Sequence, residues 1–275
     1  MFCSSLFLRK NRLGALNSMN YKLLVDTAML AGEIMLIGGA ETYRVEDTMA
    51  RILKISGLEK TETFVTLTGI FLSLGDTSID SITLVKRVDN RMTNMSNIYE
   101  ANNISRMLCN GAVTLEEAYE SLKNIKISKQ YSTRLYDICT ILASLFFSSL
   151  LGADLLSCLV AGLNGIFIVL VIVATRKMKV HFFIRNIASS ILIAFNSMFF
   201  LHVLKVPVQL DALIGGSVMP LLPGVAITNA IRDTLQGDYL SGGGRAIEAF
   251  VSASGTASGI GIGMTLFSLI AGGIF

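Results

Sequence analysis

The residues best placed to do chemistry in this chain lie in one stretch, Pro220–Arg245, reading PLLPGVAITNAIRDTLQGDYLSGGGR between two long uncharged runs. Pro220 and Pro223 each remove a backbone donor and free a carbonyl one turn earlier. A half-helix starting near Gly224 would aim its N-terminal amides at the break, where a carboxylate is favoured. Asn229 lies inside the same run, Arg232 and Asp233 at its end, and Asp238 and Arg245 shortly after. In hydrocarbon an unpaired peptide group is costly, so irregular backbone persists only against protein or a water-lined cavity. An interrupted span flanked by polar groups therefore points to a pathway for an anion or amino acid, with Arg232 as the carboxylate's partner. A proline kink that serves packing, with Arg232 and Asp233 as ordinary interfacial residues, is the competing reading.

A second cluster is Glu41-Thr42-Tyr43-Arg44-Val45-Glu46-Asp47-Thr48. Arg44/Asp47 and Asp47/Arg51 have the spacing of pairs along one helix face, each contributing a few tenths of a kcal/mol. The cluster has no histidine, no cysteine nucleophile and no metal-ligand spacing, so no catalytic residue, metal or cofactor is assigned. Gly255, Gly259 and Gly263 recur every fourth residue, with Ala253, Ala257 and Gly261 nearby. Such a stripe lets a backbone approach closely, as a packing face for a neighbouring span or a second subunit. Asn164 and Asn196 sit near mid-depth of apolar runs, where an amide lines a pathway or bonds to a neighbouring helix.

These groups must be positioned by two different halves. The chain has 275 residues, 52% hydrophobic and 16% charged, with a mean hydropathy of +0.61. Charge density is ordinary up to about Arg134, and apolar runs dominate beyond it. The first half reads as a small α+β domain over 19–130, and the second as a membrane domain over 131–275. Residues 20–37 read as a moderately amphipathic helix stopped at Gly38-Gly39, and 42–56 as a second helix. Residues 61–74 favour a strand, GDTSID a turn, and ITLVKRV the returning strand of a hairpin. Helices follow over 91–109 and 114–126, the latter opened by a Thr114/Glu117 capping box. The segment 1–18 reads as a tail rather than a signal peptide, since its basic cluster follows the short apolar run; Met19 is an alternative start.

Five runs reach the roughly 20 residues that cross ~30 Å of hydrocarbon: 136–153, 155–174, 184–204, 210–231 and 247–274. The first two meet at a tight Gly152-Ala153-Asp154 hairpin. Arg176, Lys177, Lys179 and Arg185 lie in one inter-span loop and Arg232 and Arg245 in another, whereas the opposite loops carry only Lys205. The positive-inside rule then puts the α+β domain in the cytoplasm and the C-terminus outside. The expected fold is thus a multi-pass α-helical membrane protein of five spans with an N-terminal cytoplasmic α+β domain. A net charge of +3 without a basic stripe excludes nucleic acid. Four cysteines without paired spacing suit a reduced, cytosol-facing protein.

The blocks GGAETYRVEDTMARI (38–52) and PGVAITNAIRDTLQGDYLSGGGRAIEA (223–249) resemble the threonine/serine exporter family, most closely its YjjP-type subunit. The resemblance covers residues 20–275. Matching positions are Glu41, Tyr43, Arg44, Glu46 and Asp47, then Pro223, Gly224, Asn229, Arg232, Asp233, Gly237, Asp238, Gly242 and Arg245. The resemblance implies a cytoplasmic domain followed by five spans in the cell membrane. It implies secondary export of threonine and serine by fused members and of succinate by split pairs, drawing on the proton gradient. It also implies a separate, smaller YjjB-type multi-span subunit as partner in a homo- or hetero-oligomer, with the glycine stripe as its docking face. Residues 41–47 would serve as a gating or coupling element. A membrane-anchored enzyme using Glu41, Glu46 or Asp47 and a scaffold subunit are the alternatives.

Overall fold

The first helix is opened by a cap and closed by a reversal. In the computed structural model, which describes residues 20–271 except 78, 90, 128–130, 177 and 179, the Asn20 side chain accepts from the Leu23 amide at 3.0 Å. Helix α1 (Tyr21–Ile37) then ends where expected, at Gly38-Gly39. Gly39 takes φ +85°, and the amides of Gly39 and Ala40 turn back onto the Leu36 and Met35 carbonyls. That is a Schellman closure, and the left-handed conformation explains the glycine. The 1–18 tail lies outside the described residues.

Packing divides the chain into two units, Met1–Ser128 with Ile227–Ala246, and Lys129–Ala226 with Ile247–Phe275. The segment 227–246, grouped with the membrane domain on sequence, therefore packs with the first unit. In that unit α1 is the axis: Leu24, Val25, Ala28, Met29, Ala31, Ile34, Met35 and Leu36 are all buried. Burial runs around the helix rather than along one stripe, which corrects the amphipathic expectation. Around α1 pack α2 (Thr42–Lys54), α3 (Met95–Cys109), α4 (Leu115–Ile127) and the sheet. The capping box of α4 is formed: Glu117 N donates to Thr114 Oγ1 at 3.2 Å, and Thr114 N to Glu117 Oε2 at 2.8 Å.

The sheet has three antiparallel strands, not the expected two: β1 (Lys60–Thr66), β2 (Gly69–Gly75) and β3 (Ile82–Arg87). The run read as one strand is split by a turn at Leu67-Thr68, pairing Val65 with Ile70. A tight turn inside a β-branched run leaves composition almost unchanged, so periodicity passes over it. Val65, Ile70, Leu72 and Leu74 face the core, while Phe64, Phe71 and Val85 point outward.

The second unit is helical: α5 (Thr133–Leu150), α6 (Leu155–Arg176), α7 (Phe182–His202), α8 (Leu210–Val218) with a 3-10 turn at Met219–Leu221, and most of α10 (Tyr239–Ala271). Helix α9 (Gly224–Leu235) leads from this unit into the first. The Gly152 hairpin is present, with φ +85°. Helices α6, α7 and α10 are long and apolar enough to cross a membrane. Only 44%, 33% and 28% of their most apolar windows are buried, which leaves apolar faces for lipid. Leu210–Leu221 and Gly224–Leu235 form a broken fourth candidate, bent by 65°. Among the described residues three helices, or four with the bent pair, meet that length and composition, against the five runs of the sequence. Helix α5, the expected first span, is 18 residues long and opens with Arg134 and Asp137, so it falls short.

The glycine stripe packs within the chain. A β-carbon on Gly255 would meet the Phe183 ring at 2.8 Å, one on Gly259 the Ile187 carbonyl at 2.6 Å, and one on Gly263 the Ile191 carbonyl at 2.5 Å. The stripe is thus the seat of α7 and not a free docking face. Gly259→Leu should lower stability in detergent by about 1–3 kcal/mol through overpacking. Gly261→Ala, whose added carbon meets nothing within 4 Å, should not lower the thermal midpoint and should raise it slightly through helix propensity.

Candidate functional site

The two sequence blocks meet in the first unit, on the short connection Gly38–Glu41 between α1 and α2. A chain reversal leaves peptide groups without helical partners, and buried ones must be satisfied. Here four successive residues are held by side chains from the 227–246 segment. Asn229 Nδ2 donates to the Gly39 carbonyl at 2.8 Å, and Arg245 Nη2 to the Ala40 carbonyl at 2.6 Å. Arg232 Nη1 donates to Glu41 Oε1, and the Thr42 amide donates to Asp233 Oδ1 at 3.1 Å.

Local structure delivers those donors. Helix α9 starts at Gly224, as the proline break predicted, and places Asn229, Arg232 and Asp233 within two turns. It ends in a second Schellman closure: Gly237 at φ +89° bonds to the Thr234 carbonyl, and the Asp238 amide to that of Asp233. Asp238 then accepts from the Ser241 amide at 3.0 Å at the start of α10. Gly242 lies against α9, where a β-carbon would come 2.9 Å from the Thr234 amide nitrogen. That close return carries Arg245 back to the loop.

Two ion pairs differ in kind. Asp233 and Arg245 are both buried, 0% and 4% exposed, with Arg245 Nε 2.9 Å from Asp233 Oδ2 as an ion contact rather than an aligned hydrogen bond. Among the described residues the buried hydroxyls of Thr42 and Ser241 have no hydrogen-bond partner. Glu41 is 7% exposed, but its partner Arg232 is 57% exposed. Arg44 Nη1 lies 3.5 Å from the other Glu41 oxygen, so it pairs there and not with Asp47 as the spacing had suggested. Asp47 pairs with Arg51 at 2.7 Å on an exposed face, and Tyr43 is partly exposed.

The carboxyls of Glu41 and Glu46 are pushed in opposite directions. Burial disfavours the Glu41 carboxylate, but its own backbone amide, the Arg232 hydrogen bond and the charges of Arg44 and Arg232 outweigh that and lower its pKa. Burial raises Glu46, with repulsion from Asp238 and Asp233 adding to it, against the Val65 amide that donates to Glu46 Oε1 at 2.8 Å.

Pro220, Pro223 and Gly224 fall in the second unit, apart from this constellation. There the Leu221 carbonyl, left free at the break, accepts from Asn186 Nδ2 at 3.3 Å. Asn164 donates to Ser197 and Ser217 at 3.1 and 3.0 Å and accepts from Asn196 at 2.8 Å, so both amides bond to neighbouring helices. Asn186 escaped the sequence reading. Its signal is the recurrence of buried polar residues at helical spacing (186, 189, 190, 197) in an apolar run.

Among the described residues three helices of spanning length, or four with the bent pair, give the class, a multi-pass membrane protein. The chain matches the ThrE family, described as "Putative threonine/serine exporter", over residues 26–267. It belongs to the threonine/serine exporter family. It is similar to a "Probable threonine/serine exporter" of Mycobacterium tuberculosis, 23% identical over 255 residues. That alignment covers 92% of this chain and 48% of the relative, so the chain spans about half the length of the curated relative it matches. No solved structure gives a significant match.

Removing one partner of a buried pair is far costlier than removing an exposed one. Arg245→Ala should destabilise the protein by about 3–5 kcal/mol, and Arg232→Ala by about 1 kcal/mol or less, read from unfolding in detergent. The glutamates give opposite pH signatures. The lowered folded pKa of Glu41 adds stability above its unfolded value, near 4.5, that is lost as pH falls through the folded value. The raised folded pKa of Glu46 costs stability at neutral pH, and that cost disappears as pH falls through the folded value towards 4.5. Thermal midpoints should therefore fall for Glu41→Gln and rise for Glu46→Gln at pH 7, and both differences should shrink on acidification to about pH 4.

Proposed function

We propose that this chain is the larger, YjjP-type subunit of a two-component secondary exporter for hydroxy amino acids or small carboxylates, in the threonine/serine or succinate class. The observation that carries the reading is Arg232: a guanidinium 57% exposed, whose present partner is the carboxylate of Glu41. A solute carboxylate presents the same two oxygens and would compete for the same fork. Loss of that partner would release Glu41 from Arg232 at the root of α2, so that carboxylate binding and the position of the 41–47 segment become coupled. Asp233 and Asp238 stand beside this exchange as candidate groups for ion coupling.

Five spans complete the proposed topology: α5, α6, α7, the bent pair α8–α9, and α10. Support for α5 comes from its packing against α6 and from Arg176, 3.3 Å from Asp137, which neutralises the acidic residue near its start. The basic residues Arg176 and Arg185 favour a cytoplasmic first unit and an external C-terminus. The partner is a smaller YjjB-type multi-span subunit, as the resemblance of the two motif blocks implies. No catalytic role is assigned to Glu41, Glu46 or Asp47.

One observation favours a second reading, a scaffold subunit: Asn229, Asp233 and Arg245 are fully engaged in holding the 39–42 loop. Efflux separates the two. Cells producing this chain with its partner should export threonine, serine or succinate, and cells lacking either protein should not. Arg232→Ala should abolish efflux while the complex still co-purifies. Normal efflux by that variant would remove Arg232 from the mechanism and leave the scaffold reading.

A further inference from the structure

The second unit buries a different kind of polar surface from the first. Every buried polar side chain described in it is a serine, threonine or asparagine, and none carries a charge. Several fall on one face of α7, where Asn186, Ser189, Ser190 and Ser197 recur at helical spacing. At one end of this face Ser197 is fully satisfied, donating to the Ile193 carbonyl at 2.7 Å and accepting from Asn164. Toward the other end Asn186 spans the break, donating to the Leu221 carbonyl and, at 3.1 Å, to Ser252 Oγ of α10.

Ser189 and Ser190 stand out between these ends. Both are 0% exposed, and among the described residues neither hydroxyl has a hydrogen-bond partner. A serine in an apolar helix ordinarily returns its proton to the carbonyl four residues back, as Ser197 and Ser217 do here at 2.7 Å. Gly259 faces Ser190, its position for a β-carbon only 2.7 Å from Ser190 Cβ, so no side chain reaches that serine from position 259. Two adjacent buried hydroxyls left unanswered, one turn along α7 from the Asn186 amide that holds the Leu221 carbonyl, are a poor way to pack a bundle. They are a suitable way to receive a hydrogen-bonding solute.

We propose that Ser189 and Ser190, with Asn186 and Ser252 beside the Leu221 carbonyl, form an interior binding site for a small solute of zero net charge. Hydroxyl and amide hydrogens donate to a carboxylate, while hydroxyl oxygens and the freed carbonyl accept from an ammonium. A zwitterion brings its own counter-charge into this region. A dicarboxylate brings two negative charges to a place whose buried polar groups include no cation, and burying unpaired charge is prohibitive. The inference rests on the exporter reading and separates two solute classes which that reading leaves open.

The test is cysteine accessibility in membranes holding the full chain on a cysteine-free background. Ser189→Cys and Ser190→Cys should react with a small hydrophilic methanethiosulfonate. Ile193→Cys, equally buried but in an apolar cluster, should not. L-serine at ten times its Kd should slow the reaction about tenfold by occupancy, and succinate should leave it unchanged. Failure of both cysteines to react, or no slowing by L-serine, overturns the site. Equal protection by succinate overturns the requirement for zero net charge. Protection by L-serine in membranes whose cells show no efflux keeps the site and removes the exporter reading. As a second variant without added bulk, Ser189→Ala/Ser190→Ala should raise the KM for efflux about tenfold, the worth of roughly one hydrogen bond. An unchanged KM in that variant assigns the hydroxyls to packing alone.

Discussion

The chain reversal at Gly39–Thr42 sets the terms for the first unit. A left-handed glycine lets α1 and α2 meet closely, and the same reversal leaves the carbonyls of Gly39 and Ala40 and the amide of Thr42 without helical partners. All three are answered by side chains 190 to 205 residues later in the chain. Buried backbone cannot go unanswered, so the loop and the 227–246 segment specify one another. The Asp233–Arg245 pair follows from that arrangement. Each of the two charges already bonds to the loop, and each neutralises the other where water is excluded.

Exposure separates structural from responsive groups within that clasp. Arg245 is sealed with its carboxylate, and breaking the pair would strand a charge. Arg232 keeps more than half of its side chain in solvent while its partner Glu41 is buried. The exchange of carboxylates proposed for Arg232 rests on that exposure, and the loop's other three contacts come from other side chains. The second unit handles polarity differently. Its buried hydroxyls and amides bridge helices and tie down the broken segment without any charge, as suits a helical bundle in a medium that punishes ions.

Local signals were legible wherever the cause was local. The start of α9 follows from the missing donors of Pro220 and Pro223, the ends of α1 and α9 from Gly39 and Gly237, and the start of α4 from Thr114 and Glu117. The two motif blocks were also visible. What stayed hidden was that Arg232 pairs with Glu41 of the other block. Glu41 lies 191 positions away, and no periodicity relates the two. The split of the sheet at Leu67-Thr68 was hidden for a different reason, since the turn interrupts neither the β-branched composition nor the hydrophobicity. The glycine stripe announced a close approach, but a backbone face does not name its occupant; the carbonyls of α7 fill it.

By itself, then, the sequence determined the helices, their caps and breaks, the apolar runs and the residue types of the site, because propensity, capping and hydrophobic transfer act over a few neighbouring residues. Only the tertiary structure decided that 227–246 packs with the first unit, that Arg232 pairs with Glu41 while Arg245 is sealed against Asp233, and that Ser189 and Ser190 are left without partners. Those outcomes depend on which distant groups are brought within hydrogen-bonding distance and shut off from water, and that is a property of the packed chain alone.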